Sequence, residues 1–137
     1  MAKATIRRAT ESDYERLALY AHHIRDDILR RNLAEGTMLL AEADDALIGW
    51  LRWNLFWDSI PFMNHLFILE ERRGQGHGAV LVASWEALAR KAGYDRVMTS
   101  SAQDETAQHF YVRLGYRAVG GFTLTGDPLE ILFEKPL

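Results

Sequence analysis

Hydrophobic residues along this chain change their spacing several times, and each change marks a change of element. Ala4-Thr5-Ile6-Arg7 reads as a short strand. Thr10 then reads as a helix N-cap with Asp13 at the capping-box position, and Tyr14, Leu17, Ala18 and Ala21 fall on one helical face. His22 to Leu29 continues helically with a break near Asp26, and Gly36 ends the region. From Met38 the period shortens to two. Met38–Glu42 and Leu47–Trp57 form a hairpin across the turn Asp44-Asp45. Alternation sets Leu51, Trp53, Leu55 and Trp57 on one side of the longer strand and Trp50, Arg52, Asn54 and Phe56 on the other. Aromatics on both sides predict that both are covered. Core packing, an aromatic substrate pocket and a dimer surface all remain open as explanations.

Asp58-Ser59-Ile60-Pro61 turns the chain into an apolar strand, Phe62–Leu69, followed by Glu70-Glu71-Arg72-Arg73 and the glycine-rich run Gly74-Gln75-Gly76-His77-Gly78. A helix over Ala79–Arg90 follows and ends at Ala92-Gly93-Tyr94. Arg96–Thr99 is a strand and Ser100–Gln103 a loop. Asp104 is placed as the cap of a helix from Glu105 to Leu114 that stops at Gly115. Tyr116–Val119 and Leu129–Glu134 make a closing hairpin, joined through Gly120-Gly121 and Thr125-Gly126-Asp127-Pro128. The order predicts one α/β domain over residues 1–137, a mixed sheet with helices on both faces.

The stretch from Phe62 to Gly93 carries the candidate chemistry. A glycine turn between strand and helix leaves several backbone N–H groups bare at the positive end of the helix dipole, which suits a phosphate or pyrophosphate. Glycine lets the anion approach the backbone and supplies positive φ. A tight strand-to-helix corner is the bland alternative. Gly74-x-Gly76-x-x-Ala79 also fits the loose dinucleotide pattern, with Asp95 beyond it, but too little chain follows for a doubly wound sheet. No Lys-Ser or Lys-Thr pair follows the glycines, so a nucleoside triphosphate P-loop is excluded.

Composition narrows the field further. The 137 residues are 48% hydrophobic and 26% charged, with a net charge of −3, so a general nucleic-acid binder is disfavoured and a cationic substrate mildly favoured. There is no cysteine, which removes disulfides, thiolate catalysis and cysteine-based zinc sites. No signal peptide or membrane-spanning run is read from the sequence, and a cytoplasmic location is expected by default.

Two motifs then carry a resemblance. Ile68 followed by Arg73-x-x-Gly76-x-Gly78 resembles the acetyl-CoA signature of the GCN5-related N-acetyltransferases (GNAT). Asp104-Glu105-Thr106-Ala107-Gln108-His109-Phe110-Tyr111-Val112-Arg113-Leu114-Gly115-Tyr116 resembles that family's second signature. The resemblance covers nearly the whole chain. It implies a mostly antiparallel twisted sheet, splayed between the fourth and fifth strands, and transfer of an acetyl group from acetyl-CoA, without a metal, to a primary amine. The amine is expected to be a small molecule, with a protein or peptide amine as the alternative within the class. By resemblance, Arg73, Gly74, Gln75, Gly76, His77 and Gly78 hold the pyrophosphate. Leu66, Phe67 and Ile68 hold the pantetheine arm through freed backbone groups, one of which polarises the thioester carbonyl. Asp104 and Phe110 are assigned to the cofactor, although Asp104 stands where the family has Asn and loses its amide donor.

Tyr111 is the implied general acid; packing on the sheet is its structural alternative. Some family members place a Glu or His base six or four positions before the aliphatic matched by Ile68. Here Phe62 and Asn64 occupy those places, so a water relay touching Asn64, or a carboxylate such as Asp58, is expected. Strand parity puts His65 on the opposite face unless a bulge intervenes. A non-catalytic acyl-CoA-binding module and a dinucleotide-binding fragment are the rival classes. Neither the acceptor nor a homodimer can be read from the sequence, though the tryptophans leave room for one.

Overall fold

The computed structural model describes residues 3–137. Its elements run β1 (Thr5–Arg8), a 3-10 turn at Glu11–Asp13, α1 (Tyr14–Ala18), α2 (Asp26–Glu35), β2 (Met38–Ala43), β3 (Ala46–Phe56), β4 (Ile60–Ile68), a 3-10 turn at Glu70–Arg72, α3 (His77–Lys91), β5 (Arg96–Ala102), α4 (Ala107–Arg113), β6 (Arg117–Phe122) and β7 (Glu130–Pro136). The strands form one sheet in the order β1-β2-β3-β4-β5-β7-β6. β1 with β2, β2 with β3, β5 with β7 and β6 with β7 pair antiparallel, and β4 pairs with β5 in parallel at Phe62↔Met98 and Met63↔Thr99. The mixed, mostly antiparallel sheet read from the sequence is therefore present, with a parallel β4–β5 pair.

Two compact units divide the chain. One contains the residues up to Trp53 with His65–Trp85; the other contains Asn54–Asn64 with Glu86–Leu137. In the first unit both sheet faces are covered. Met38, Leu40, Leu47 and Trp50 pack with Leu17, Ala21, Ile24, Leu29 and Leu33 of the α1–α2 region, all buried. The alternate positions Leu39, Leu51 and Trp53 are also buried, and Trp53 lies 6.5 Å from Trp85 of α3, ring to ring. This is the expected consequence of aromatics on both sides of β3. Trp57 is the exception. It takes positive φ in the turn after β3 and is 80% exposed, so it does not extend the strand.

Local chemistry explains the first hairpin. Asp44 and Asp45 have φ of 52° and 63°, the left-handed pair of a two-residue turn that closes Ala43 on Ala46. The predicted capping box also forms, with Asp13 accepting the Thr10 N–H at 2.8 Å. Its carboxylate is held again by Arg7, at 2.8 and 2.9 Å, while Arg7 and Arg16 reach Glu42 at 2.6 and 2.5 Å. The Arg7 guanidinium, helped by the Thr10 amide, lowers the Asp13 pKa from 3.8 to about 2. A depressed carboxylate contributes stability that is complete above its unfolded pKa and is lost as the pH falls through its folded one. Unfolding stability should therefore drop between pH 4 and 2 by about 1–2 kcal/mol, allowing for solvent at the exposed Arg7 end. Urea midpoints should show the loss, and Asp13→Asn should remove its pH dependence.

Several boundaries differ from the sequence reading. The α1 helix is short, and residues 19–25 form an irregular link before α2 starts at Asp26. β5 continues through Ser100–Ala102, read as loop, because β7 pairs with it along its whole length, from Arg96↔Pro136 to Ala102↔Glu130. The last helix begins at Ala107 with Thr106 at its N-cap. Residues 103–106 form turns, with the Glu105 N–H on the Ala102 carbonyl, so Asp104 is not the cap. Gly120 and Gly121 lie within β6 rather than in the connection; a Cβ on Gly121 would stand 2.7 Å from the Glu130 carbonyl oxygen.

Candidate active site

In the first unit, β4 leaves a usable backbone edge. The Leu69 N–H bonds to the Ile48 carbonyl at 2.8 Å. The Phe67 carbonyl also faces β3, so close that a Cβ on Gly49 would meet it at 2.2 Å. Backbone groups of successive strand residues point to opposite edges, so those of Leu66 and Ile68 point away from β3. Of the three residues assigned to the pantetheine arm, Leu66 and Ile68 thus present main-chain groups outward. Phe67 turns its carbonyl inward and contributes its ring, stacked on Trp50 at 4.7 Å. Arg73 folds back and donates from Nε to the Ile68 carbonyl at 2.8 Å, with its guanidinium 5.5 Å from the Phe67 ring centroid. That bond ties the glycine turn to the strand end.

The turn itself is open. Gly74 and Gly76 have φ of 76° and 85°, and among the described residues, chain neighbours aside, nothing lies within 4 Å of a Cβ built on either. The Val80 N–H bonds to the Gly76 carbonyl at 3.2 Å, which leaves the N–H groups of His77, Gly78 and Ala79 without an intrahelical partner. No acidic residue stands in the first turn of α3. The side chains of Gln75 and His77 bond to each other at 3.2 Å. Bare N–H groups, positive φ and the dipole of a 15-residue helix make a cradle that fits a diphosphate.

His65 lies nearby on β4, half-buried, and its Nδ1 accepts the Trp50 indole N–H at 3.2 Å. Burial, then the charge of Arg52 and of His23, lower its pKa to about 4. The ring is therefore neutral near pH 7, with its proton on Nε2, and it presents a donor rather than a basic lone pair. His65 and Phe67 both reach Trp50, whereas Asn64 reaches Asn54. Trp50 and Asn54 share one parity on β3, so β4 skips a step of its alternation between Asn64 and His65, as a bulge does. Simple parity had set His65 on the opposite face.

In the second unit, Tyr111 on α4 is 7% exposed, with its ring 5.4 Å from Phe110, 5.9 Å from Tyr116 and 6.1 Å from Phe133. Burial raises the phenol pKa above its ordinary 10.0, partly opposed by a hydrogen bond with Thr99. Thr99 in turn donates to the Met63 carbonyl at 3.0 Å, where β4 and β5 pair. The phenol therefore points at the end of that short parallel ladder and stays protonated. Asn64, the next residue of β4, is exposed, and its amide donates to Asn54 at 2.9 Å, leaving its own carbonyl oxygen for water. Asp104 is exposed and lines a groove of about 520 Å³ with Glu105, Asp127, Glu130, Phe122 and Leu124. Four carboxylates there repel phosphate and attract cations. Sequence reasoning passed over this groove because its carboxylates come from two separate loops and the start of β7, and over Arg52 because it read as one charge among aromatics.

A protein-family comparison matches residues 4–116 to the acetyltransferase (GNAT) family. No curated protein matches the chain. Among solved structures, Ard1 from Thermoplasma volcanium aligns with a TM-score of 0.83 at 13% identity, covering 98% of this chain and 97% of that one. PaiA N-acetyltransferase from Thermoplasma acidophilum, solved in complex with coenzyme A, aligns at 0.78 and 16% identity, covering 98% and 99%. A GNAT family acetyltransferase from Elizabethkingia anophelis, solved with acetyl-CoA bound, aligns at 0.76 and 19% identity, covering 98% of each chain. At these identities the likeness is one of fold. Among the described residues no helix is long and apolar enough to cross a membrane.

Proposed function

Because this chain belongs to the acetyltransferase (GNAT) family, we propose that it is an N-acetyltransferase, moving the acetyl group of acetyl-CoA to the primary amine of a small molecule. The open, positive-φ glycine turn at Gly74–Gly78, with its bare amides, is the observation that carries this reading. Those amides, with Arg73 bracing the turn, would hold the diphosphate; the outward groups of Leu66 and Ile68 would align the pantetheine arm. When bound, acetyl-CoA supplies an activated acetyl thioester. The Ile68 N–H, free on the outer edge while its carbonyl is engaged by Arg73, suits a thioester carbonyl oxygen that gains negative charge during attack.

Tyr111 is the proton donor in this reading. Its pKa, pushed up by burial, keeps it protonated throughout the working range, so it can donate to a departing thiolate. His65 is a poor base, since its Nδ1 is taken and its pKa lies near 4. A water ordered on the Asn64 carbonyl oxygen is the available route for the amine's proton, and the rest of the rate comes from holding two reactants together. The acidic groove of Asp104, Glu105, Asp127 and Glu130 favours an acceptor that arrives as an ammonium.

Following thiol release from acetyl-CoA across a panel of small primary amines, with mass spectrometry of the products, tests the reading. An N-acetylated small amine is the expected product. Tight acetyl-CoA binding with no transfer to any amine would make the protein a non-catalytic binding module. Turnover confined to peptide amines would move the acceptor to the other branch of the class.

A further inference from the structure

Arg52 on β3 stands in an unusual place for a charge. It lies in the run Trp50-Leu51-Arg52-Trp53, whose other three members are buried, and is itself half-buried. Its Nε is sealed from solvent and has no hydrogen-bond partner. Burial alone acts on its pKa, downward; no carboxylate contributes. By strand alternation it shares the β3 face of Trp50, the face covered by the α1–α2 region, and its register partner on β2 is Met38, in that same core. An arginine so placed normally carries a counter-ion, because a desolvated guanidinium without one is costly.

The groups beside it are imidazole and aromatic rings. Burial first, then the charge of Arg52 and of His23, lowers the pKa of His65. Its Nδ1 is occupied by Trp50, so a neutral His65 offers an Nε2–H donor. His23 meets it edge-on at 5.6 Å, and the Trp50–Phe67 stack at 4.7 Å forms an aromatic wall beside the pair. The one acceptor recorded here, the His65 Nδ1, is taken by Trp50, and no carboxylate forms an ion pair with Arg52 among the described residues.

We propose that Arg52, flanked by His65, anchors a carboxylate on the acceptor, so that the substrate is a small amine that also bears a carboxylate, of the amino-acid type. This deepens the acetyltransferase reading and rests on it. A carboxylate fits the two terminal nitrogens of the guanidinium through two parallel hydrogen bonds, and in half-buried Arg52 these, unlike the sealed Nε, are the part of the head a ligand can reach. The same chemistry disfavours simple polyamines, which bring only positive charge to a cluster that already holds it. The bland alternative is an arginine whose stem packs over Met38 while its head reaches water. That alternative gives no reason for a half-buried guanidinium without a carboxylate partner to stand beside the His65 Nε2–H donor.

The test compares matched substrates. Initial rates of acetyl transfer are measured for a panel of amino acids, their amides and their decarboxylated amines, with wild type, Arg52→Gln and Arg52→Lys. A charge-assisted fork predicts that wild type prefers the carboxylates by about 10- to 100-fold in kcat/KM. Arg52→Gln should bring that ratio close to one, and Arg52→Lys should keep part of it. If Arg52→Gln does not fold, as judged by thermal melting, the partial loss in Arg52→Lys decides. Wild-type turnover with no preference for carboxylates, or a preference that survives in a folded Arg52→Gln protein, overturns the anchor while leaving acetyl transfer intact. If no amine is acetylated, tryptophan fluorescence of the CoA-loaded protein is titrated with the same amino acids and amides. Saturable quenching by the carboxylates alone upholds the anchor even as the transferase reading fails; its absence overturns both.

Discussion

Tyr111→Phe should lower kcat by about 100- to 1,000-fold while leaving acetyl-CoA affinity within a factor of about two. The ring of Tyr111 packs against Phe110, Tyr116 and Phe133, and phenylalanine preserves those contacts. What it removes is the hydroxyl at Thr99. The lost hydrogen bond is buried, so the melting temperature should fall by no more than a few degrees. An alkyl thiol has a pKa of about 8.5 and a phenol about 10, so in the proposed role a protonated phenol can transfer its proton to the departing thiolate or share it. Because burial raises the phenol further, the wild-type kcat should show no decline from tyrosine ionisation up to about pH 10. A pH–rate profile with an alkaline limb well below that, retained in Tyr111→Phe, would assign the limb to another group. Single-turnover rates separate the chemical step from product release.

Gly76→Val should act on binding instead. Gly76 has φ of 85°, a region that costs a β-branched residue about 1–2 kcal/mol, so some stability is lost. The larger effect comes from where the new side chain goes. Among the described residues, beyond its own chain neighbours, nothing lies within 4 Å of that Cβ, so the valine would project into the open cradle proposed for the diphosphate. Losing one or more hydrogen bonds from backbone amides to a charged oxygen should weaken CoA by about 10- to 100-fold. Pantetheine, which lacks the diphosphate, should bind wild type and variant alike. Calorimetry with both ligands reads the difference directly, and an equal loss for both would indicate a misfolded turn.

How much of this was written in the residues differs from element to element. The turn at Asp44-Asp45, the Thr10–Asp13 capping box and the glycine corner were legible because each is set by a few neighbouring residues. The full length of β5 was not. Ser100, Ser101 and Ala102 have the composition of a loop, and only pairing with β7 makes them strand. Asp104 has the chemistry of a cap, but the Glu105–Ala102 turn places the helix start at Ala107.

The candidate site divides in the same way. The glycine motif pointed to a diphosphate cradle, and its positive-φ glycines, Gly74 and Gly76, were legible as a turn. Tyr111 was identified through a motif; its buried setting beside Thr99 comes from packing that no local pattern encodes. His65 was misdirected by strict alternation, since a skipped step in β4 needs β3 as a reference before it can be seen. Arg52 gave one signal in the sequence, a charge inside an aromatic strand. Its significance depends on the acids that fail to surround it in the fold.

The measurement that bears most directly on the central claim is an amide spectrum of the isotopically labelled protein titrated with CoA and, separately, with pantetheine. CoA should shift the backbone N–H resonances of Gly74, Gly76, His77 and Gly78, and pantetheine should leave those four in place. Four unmoved resonances at saturating CoA would contradict the assignment of that turn to the diphosphate.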